Sequence, residues 1–295
     1  MTSRFTCPTC GAVTQGHFCG QCGEKSLASH DRSLWHYMRE AIELVTHFDS
    51  KLLRSAALLV SRPGFMSSEY LEGRRVRYMS PLRLLVLVSV VYYLSQTALH
   101  SGAVATPPEL EFNTFTTPLA VQLHGNDFYP SYAARQLERK MRSANLGYQS
   151  IEQKYDETTV VLSKTLVFSL VPVIALLFYG LFFRKRKYLV EHLVIATHFW
   201  SFALVLIGVL LPAVVLPLTW LYGALGISTA SVINDSVVSY VLQVVLAVHI
   251  FLMLRRAYRS SVWYSGLIAV SVAWSFFFII WLFRFLLFEV TLRAI

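Results

Sequence analysis

Five stretches of about twenty largely apolar residues, roughly 82–99, 160–183, 189–211, 236–254 and 262–290, constrain this chain more than any other feature. Hydrocarbon offers the backbone no hydrogen-bond partners, so segments of this kind cross it as α-helices. The first is the shortest and carries Arg83. Composition agrees, with 55% hydrophobic and 14% aromatic residues and a mean hydropathy of +0.51, more apolar than a soluble domain usually is. The fold expected is an all-α polytopic membrane protein of about five transmembrane helices. Its membrane domain occupies 81–295 and includes one long external segment, 100–159, polar and with Pro107, Pro108 and Pro118 in its first half. From Ser131 to Lys154 that segment reads as helical and runs toward the second span.

The formal net charge of +9 invites a nucleic-acid reading, but its distribution points elsewhere. With five spans, the N-terminal residues share one side with the short loops at 184–188 and 255–261. Arg184-Lys185-Arg186-Lys187 and Arg255-Arg256-Ala257-Tyr258-Arg259 are dense in cations, whereas the opposite side is nearly neutral. The positive-inside rule then puts the N-terminus in the cytoplasm and the C-terminus outside, and nucleic acid is not the expected partner. The first residues read as cysteine knuckles rather than as the basic and apolar leader of a signal peptide.

All four cysteines sit in two knuckles, Cys7 and Cys10 in CPTCG and Cys19 and Cys22 in CGQCG. Each turn puts two sulfurs on one small loop, so two such loops close a tetrahedron around a metal. Zinc is the expected cofactor, iron in a rubredoxin-like site is its rival, and disulfides do not suit a reducing compartment. Residues 1–25 are therefore read as a zinc ribbon whose metal supplies the folding energy. Four thiolates leave no open coordination position, so the zinc is structural and no catalytic residue is assigned.

Residues 26–80 read as cytoplasmic amphipathic and juxtamembrane helices. Leu34, Met38, Ile42, Val45, Phe48, Leu52, Ala56 and Leu59 recur at helical spacing, with Asp49 as the cap of a second helix. These helices either lie on the inner leaflet or pack against the bundle. The inner-leaflet case puts Trp35, His36 and Tyr37 at the interface and Lys51 and Arg54 near anionic head groups. Arg62-Pro63-Gly64 breaks the pattern. The cluster of Arg62, Arg74, Arg75, Arg77 and Tyr78 has two readings: an interfacial anchor, or a pocket for a lipid phosphate or an acidic partner.

Ser61-Arg62-Pro63-Gly64, Tyr70-Leu71-Glu72-Gly73-Arg74-Arg75, Tyr78, Pro81, Glu191-His192-Leu193-Val194, His198 and Leu254-Arg255-Arg256-Ala257-Tyr258, behind an N-terminal ribbon, carry a resemblance across most of the chain. The sequence is similar to the domain of unknown function 3667 family of bacterial inner-membrane proteins. That resemblance implies a bacterial inner (cytoplasmic) membrane location and brings no activity with it.

Ionisable groups inside spans are costly and are functional candidates by default. Glu191 and His192 open the third span, and His198 lies about 10 Å deeper, too far to share one metal with Glu191 from a single helix. His249 is about 9 Å in from the same side on the fourth span. If those spans are neighbours, Glu191, His192, His198 and His249 form an intramembrane polar cluster. The alternative is that each histidine fixes helix packing through a carbonyl or a tyrosine. Arg284 and Glu289 read as interfacial anchors, and Pro212 and Pro217 as ending or kinking the third span.

Three functions follow. The first is a non-enzymatic adaptor that uses the ribbon to bind an unknown protein at the cytoplasmic face. The second is a proton- or metal-linked transporter built on the Glu/His cluster, although no internal repeat supports a standard transporter fold. The third is a lipid-modifying enzyme.

Overall fold

The computed structural model describes residues 4–15, 17–24, 51–100, 115–124, 129–186, 188–226 and 235–295. The readings made for Trp35, His36, Tyr37 and Asp49 lie outside the described residues. Among the described residues, five helices are long and apolar enough to cross a membrane: Pro81–Leu99, Tyr148–Phe182, Leu189–Ala224, Ser236–Ala257 and Val262–Ala294. The chain is an all-α polytopic membrane protein, as its apolar stretches require.

Two boundaries differ from the sequence reading. The second span begins near Tyr148 rather than at 160, because the polar helix ahead of it continues without a break into apolar sequence. The third does not stop at 211 but runs on to Ala224 through both prolines. Its first helix, Leu189–Val205, passes into a π-turn, Leu206–Leu210, in which the Leu211 N–H donates to the Leu206 carbonyl five residues back. Pro212 then occupies the first turn of the next helix, Leu211–Ala224, where a missing N–H is tolerated. In place of a helix end there is a widened turn, and the helix goes on.

The chain divides into two compact units, residues 1–107 with 171–273 and residues 108–170 with 274–295. In the first, β1 (Arg4–Thr6) and β2 (Val13–Gln15) pair antiparallel, Phe5 opposite Thr14. After them come α1 (Lys51–Ser61), α2 (Phe65–Leu71) and α3 (Pro81–His100). The unit is completed by α7 (Leu170–Phe182), α8 (Leu189–Val205), α9 (Leu211–Ala224), α10 (Asp235–Ala257) and the start of α11 (Val262–Ala294). Most of α8 is buried, including Ile195, Phe199 and Trp200, so it is the central helix of this unit.

Small residues set how closely α8 is approached. A Cβ on Gly208, in the π-turn, would stand 2.6 Å from the Tyr92 ring and 3.2 Å from the Tyr92 Cα of α3. Only glycine permits that approach, the usual means of packing helices where lipid supplies no hydrophobic drive. Tyr70 of α2 and Val194 of α8 pack together with Leu71, Leu82, Val190 and Leu193, which seats the short α2 against the start of α8. Ser55 of α1 is fully buried and its Oγ accepts the Met79 N–H at 3.1 Å, fixing α1 to the segment that enters α3.

The second unit holds α4 (Leu119–His124), α5 (Pro130–Ala144), α6 (Tyr148–Leu166) and the greater part of α11, from Trp274 onward. Its core is Leu119, Tyr129, Ala133, Leu137, Ile151, Tyr155, Phe288 and Leu292. Several buried polar groups there are paired. Gln122 donates to the Thr117 carbonyl at 2.8 Å and to the Tyr155 hydroxyl at 2.9 Å, and Asp156 accepts the Leu119 N–H at 2.9 Å. Glu289 accepts from the Tyr132 hydroxyl at 2.8 Å and from Arg293 at 3.1 Å, so this expected anchor is bound by its neighbours. Beyond Pro118, the described part of the segment expected to be external is largely helical.

Candidate metal centre and neighbouring polar clusters

The two knuckles have the same construction. In the first, the Cys7 N–H donates to the Ala12 carbonyl and the Gly11 N–H to the Cys7 carbonyl, each at 2.9 Å. In the second, the Cys19 N–H donates to the Glu24 carbonyl at 2.7 Å and the Gly23 N–H to the Cys19 carbonyl at 2.9 Å. Gly11 and Gly23, at φ 76° and 74°, take the left-handed conformation that the residue after each second cysteine needs to turn the chain back. The sulfurs of Cys7 and Cys22, and of Cys10 and Cys19, are 3.5 Å apart, and all four lie within 4.8 Å of one another. Tetrahedral zinc thiolate requires sulfurs about 3.8 Å apart, so the four cysteines can hold one metal ion. Backbone N–H groups of Cys22 and Gln21 hold the Cys19 thiol down to about 7. At Cys22 the Glu24 N–H acts in the same direction, but burial and the other three sulfurs prevail and push the thiol up to about 12. Such a cluster resists full ionisation without a cation.

The ribbon is fastened by a residue that the sequence reading did not single out. Glu24, only 1% exposed, accepts the Thr9 hydroxyl at 2.7 Å within the ribbon. The same oxygen takes the backbone N–H groups of Arg75 at 3.1 Å and Val76 at 3.3 Å. An isolated glutamate just past a knuckle has no periodicity or motif to announce it.

That contact falls on the arginine-rich turn, whose members are engaged separately. Arg74 pairs with Glu69 and with Glu72, and those carboxylates raise its already high pKa further. Arg75 lies 4.3 Å from the Tyr70 ring centroid and donates to the Tyr70 carbonyl at 3.2 Å. Tyr78 meets the Phe65 ring edge to face at 5.8 Å, with Arg54 over Tyr78 and both Arg62 and Arg256 over Phe65. Arg77 is exposed. Of the expected lipid or partner set, Arg62 and Tyr78 are thus brought together by Phe65, while Arg74 and Arg75 are occupied within the fold.

The intramembrane candidates divide into two groups. Arg186 donates to the Ala257 carbonyl at 3.1 and 2.9 Å and to Glu191 at 3.3 Å. His192 is fully buried beside them, its Nε2 3.1 Å from the Arg186 carbonyl and its Nδ1 2.8 Å from the Tyr258 hydroxyl. A carbonyl only accepts, so Nε2 carries the proton and Nδ1 accepts from Tyr258. Tyr258 in turn stacks on Phe182 at 4.2 Å. Residues 191–192 and 257–258 therefore meet as a satisfied clasp joining the ends of α7, α8 and α10. His198 and His249 lie elsewhere, lining a small cavity with Leu59, Arg62, Gly64, Met66, Ser67 and Met253. Ser67 and His198 Nδ1 share a hydrogen bond of 2.9 Å, and the His249 ring stacks on Phe202 at 3.4 Å.

Comparison with curated proteins and with solved structures returns no match. Residues 49–93 match the family model described as Protein of unknown function (DUF3667); Glu191, His198 and residues 254–258 lie beyond it. It is this stretch, with α1, α2, the basic turn and the start of the first span, that is similar to the DUF3667 family.

Proposed function

We propose that the protein is a non-enzymatic membrane adaptor whose ribbon, loaded with structural zinc, presents a rigid edge to a protein partner at the cytoplasmic face of a bacterial inner membrane. The observation that carries this reading is the Glu24 contact, which joins the ribbon to the turn just ahead of the first span. A module anchored there cannot swing freely, and a preorganised surface loses less entropy on binding. The ribbon also leaves Val13 71% and Phe18 61% exposed, apolar side chains with no core to fill. The basic loops at 184–188 and 255–261 support the cytoplasmic orientation. Arg62, Arg77 and Tyr78 then fall near anionic lipid head groups, where guanidinium and aromatic groups act as anchors. Consumption of Glu191 by Arg186 takes away the carboxylate on which a Glu/His transporter site depends.

Photo-cross-linking in cells tests the adaptor reading. A photoreactive residue at position 18 is expected to give one discrete protein adduct that disappears in a Cys22→Ser background. A probe at Leu53, 81% exposed on α1, is the comparison outside the ribbon. Absence of a discrete adduct at both position 13 and position 18, in protein shown to retain its ribbon metal, overturns the proposal.

A further inference from the structure

The cavity bordered by His198 and His249 has an unusual lining for a helix bundle. It measures about 10 Å³, roughly the space of one water molecule or one bare ion. Four elements converge on it: Leu59 from α1, Met66 and Ser67 from α2, His198 from α8, and His249 and Met253 from α10. His249 and Met253 stand four residues apart, so they share a face of α10. On α8, His198 and Phe202 are related in the same way, and Phe202 stacks on the His249 ring, which brings the two imidazoles to the same patch. Met66, Met253, His198 and His249 are buried, at 3%, 1%, 4% and 5% exposure.

The unexplained group is His198 Nε2, buried and without a hydrogen-bond partner among the described residues. A buried imidazole nitrogen left in that condition is costly. Ser67 holds the opposite nitrogen, and the tautomer in which Nδ1–H donates to Ser67 leaves a lone pair on Nε2. Two imidazoles and two thioethers make a soft and uncharged donor set. Hard cations seek oxygen ligands, and divalent zinc sites are commonly completed by thiolate, carboxylate or a third imidazole. Arg62 on the rim disfavours a second positive charge further.

We infer that His198, His249, Met66 and Met253 form a binding site for one soft monovalent cation, Cu(I), with Ser67 as a positioning residue. The site is separate from the ribbon and does not use Glu191.

The test is an anaerobic titration of the purified full-length protein in mild detergent with Cu(I), against a competing chelator, counting copper and ribbon metal in the same sample by elemental mass spectrometry. The expected result is one copper retained per chain with the ribbon metal undisturbed. Met253→Leu and His249→Gln should each abolish that retention, and Ser67→Ala should weaken it by about tenfold. Met253→Leu nearly conserves volume, so an unchanged melting temperature separates loss of a ligand from loss of the fold. The inference is overturned if the parent retains no copper. It is equally overturned if copper enters only in exchange for the ribbon metal, or if the folded Met253→Leu and His249→Gln proteins hold copper as the parent does.

Discussion

The carboxylate of Glu24 accepts the backbone N–H of Arg75, 51 residues further along the chain, and through that one side chain a ribbon with almost no core is fixed to the entrance of the first span. A charge-assisted hydrogen bond of this kind contributes about 1.5–3 kcal/mol. Glu24→Ala is expected to release the ribbon while leaving its sulfurs in place. Hydrogen exchange would then show faster exchange at Arg75 and Val76 with metal content unchanged. Retained protection at those amides would mean that other contacts hold the ribbon.

Removal of the metal should melt residues 4–24 and little else. The two strands are three residues each, and Cys7 and Cys19, both 2% exposed, are the principal buried apolar groups between them. Circular dichroism should therefore keep its helical signal after chelation, while protease sensitivity appears near the knuckles. The pH dependence has a definite sign, because a bound ion needs thiolates and protons compete for the same sulfurs. Alkali therefore favours the bound ion, and acid releases it as protons take the sulfurs. A metal content that persists in strong acid would contradict thiolate ligation.

The sequence made some of this structure legible and hid the rest for physical reasons. Spans are visible because lipid imposes length and hydropathy on contiguous residues, and the cysteine knuckles because metal geometry imposes spacing. What could not be read is which buried polar group finds which partner. Glu191, His192 and His249 look alike in sequence, as ionisable residues inside apolar runs. The turn into α8 gives His192 the Arg186 carbonyl, and the packing of α8 against α10 gives His192 a tyrosine and His249 a phenyl ring and a cavity. The methionines of that cavity escaped notice because Met66 precedes the first span and Met253 reads as ordinary span composition. Pro217 misleads in the opposite way, marking a helix end where the helix continues.

The clasp between His192 and Tyr258 predicts a stability loss with a characteristic pattern. Tyr258→Phe keeps the stacking on Phe182 but leaves His192 Nδ1 buried without its donor, a cost of about 1–3 kcal/mol. His192→Ala loses both hydrogen bonds and leaves a cavity, so its melting temperature in detergent should fall further. Arg186→Lys should also destabilise, since one ammonium cannot reproduce the fork that holds the Ala257 carbonyl and Glu191 together. If Tyr258→Phe melts with the parent, the clasp is not a source of stability.

Gly64 supplies the sharpest test of how α2 sits on α10. Its φ of 73° is left-handed, which costs a side-chain-bearing residue about 1–2 kcal/mol. A Cβ there would also lie 2.9 Å from both the Cα and the carbonyl oxygen of Met253, backbone atoms that cannot move aside as a flexible side chain would. Overpacking of that kind adds roughly 1–3 kcal/mol. Gly64→Ala should therefore lower the melting temperature strongly, and by prising α2 from α10 it should also expose the buried Met66 to oxidation by peroxide. At Gly180, within α7, an added Cβ would meet nothing within 4 Å, so Gly180→Ala should be neutral or stabilising by up to about 1 kcal/mol. Equal melting temperatures for the two variants would show that the contact between Gly64 and Met253 is not maintained in the membrane-extracted protein.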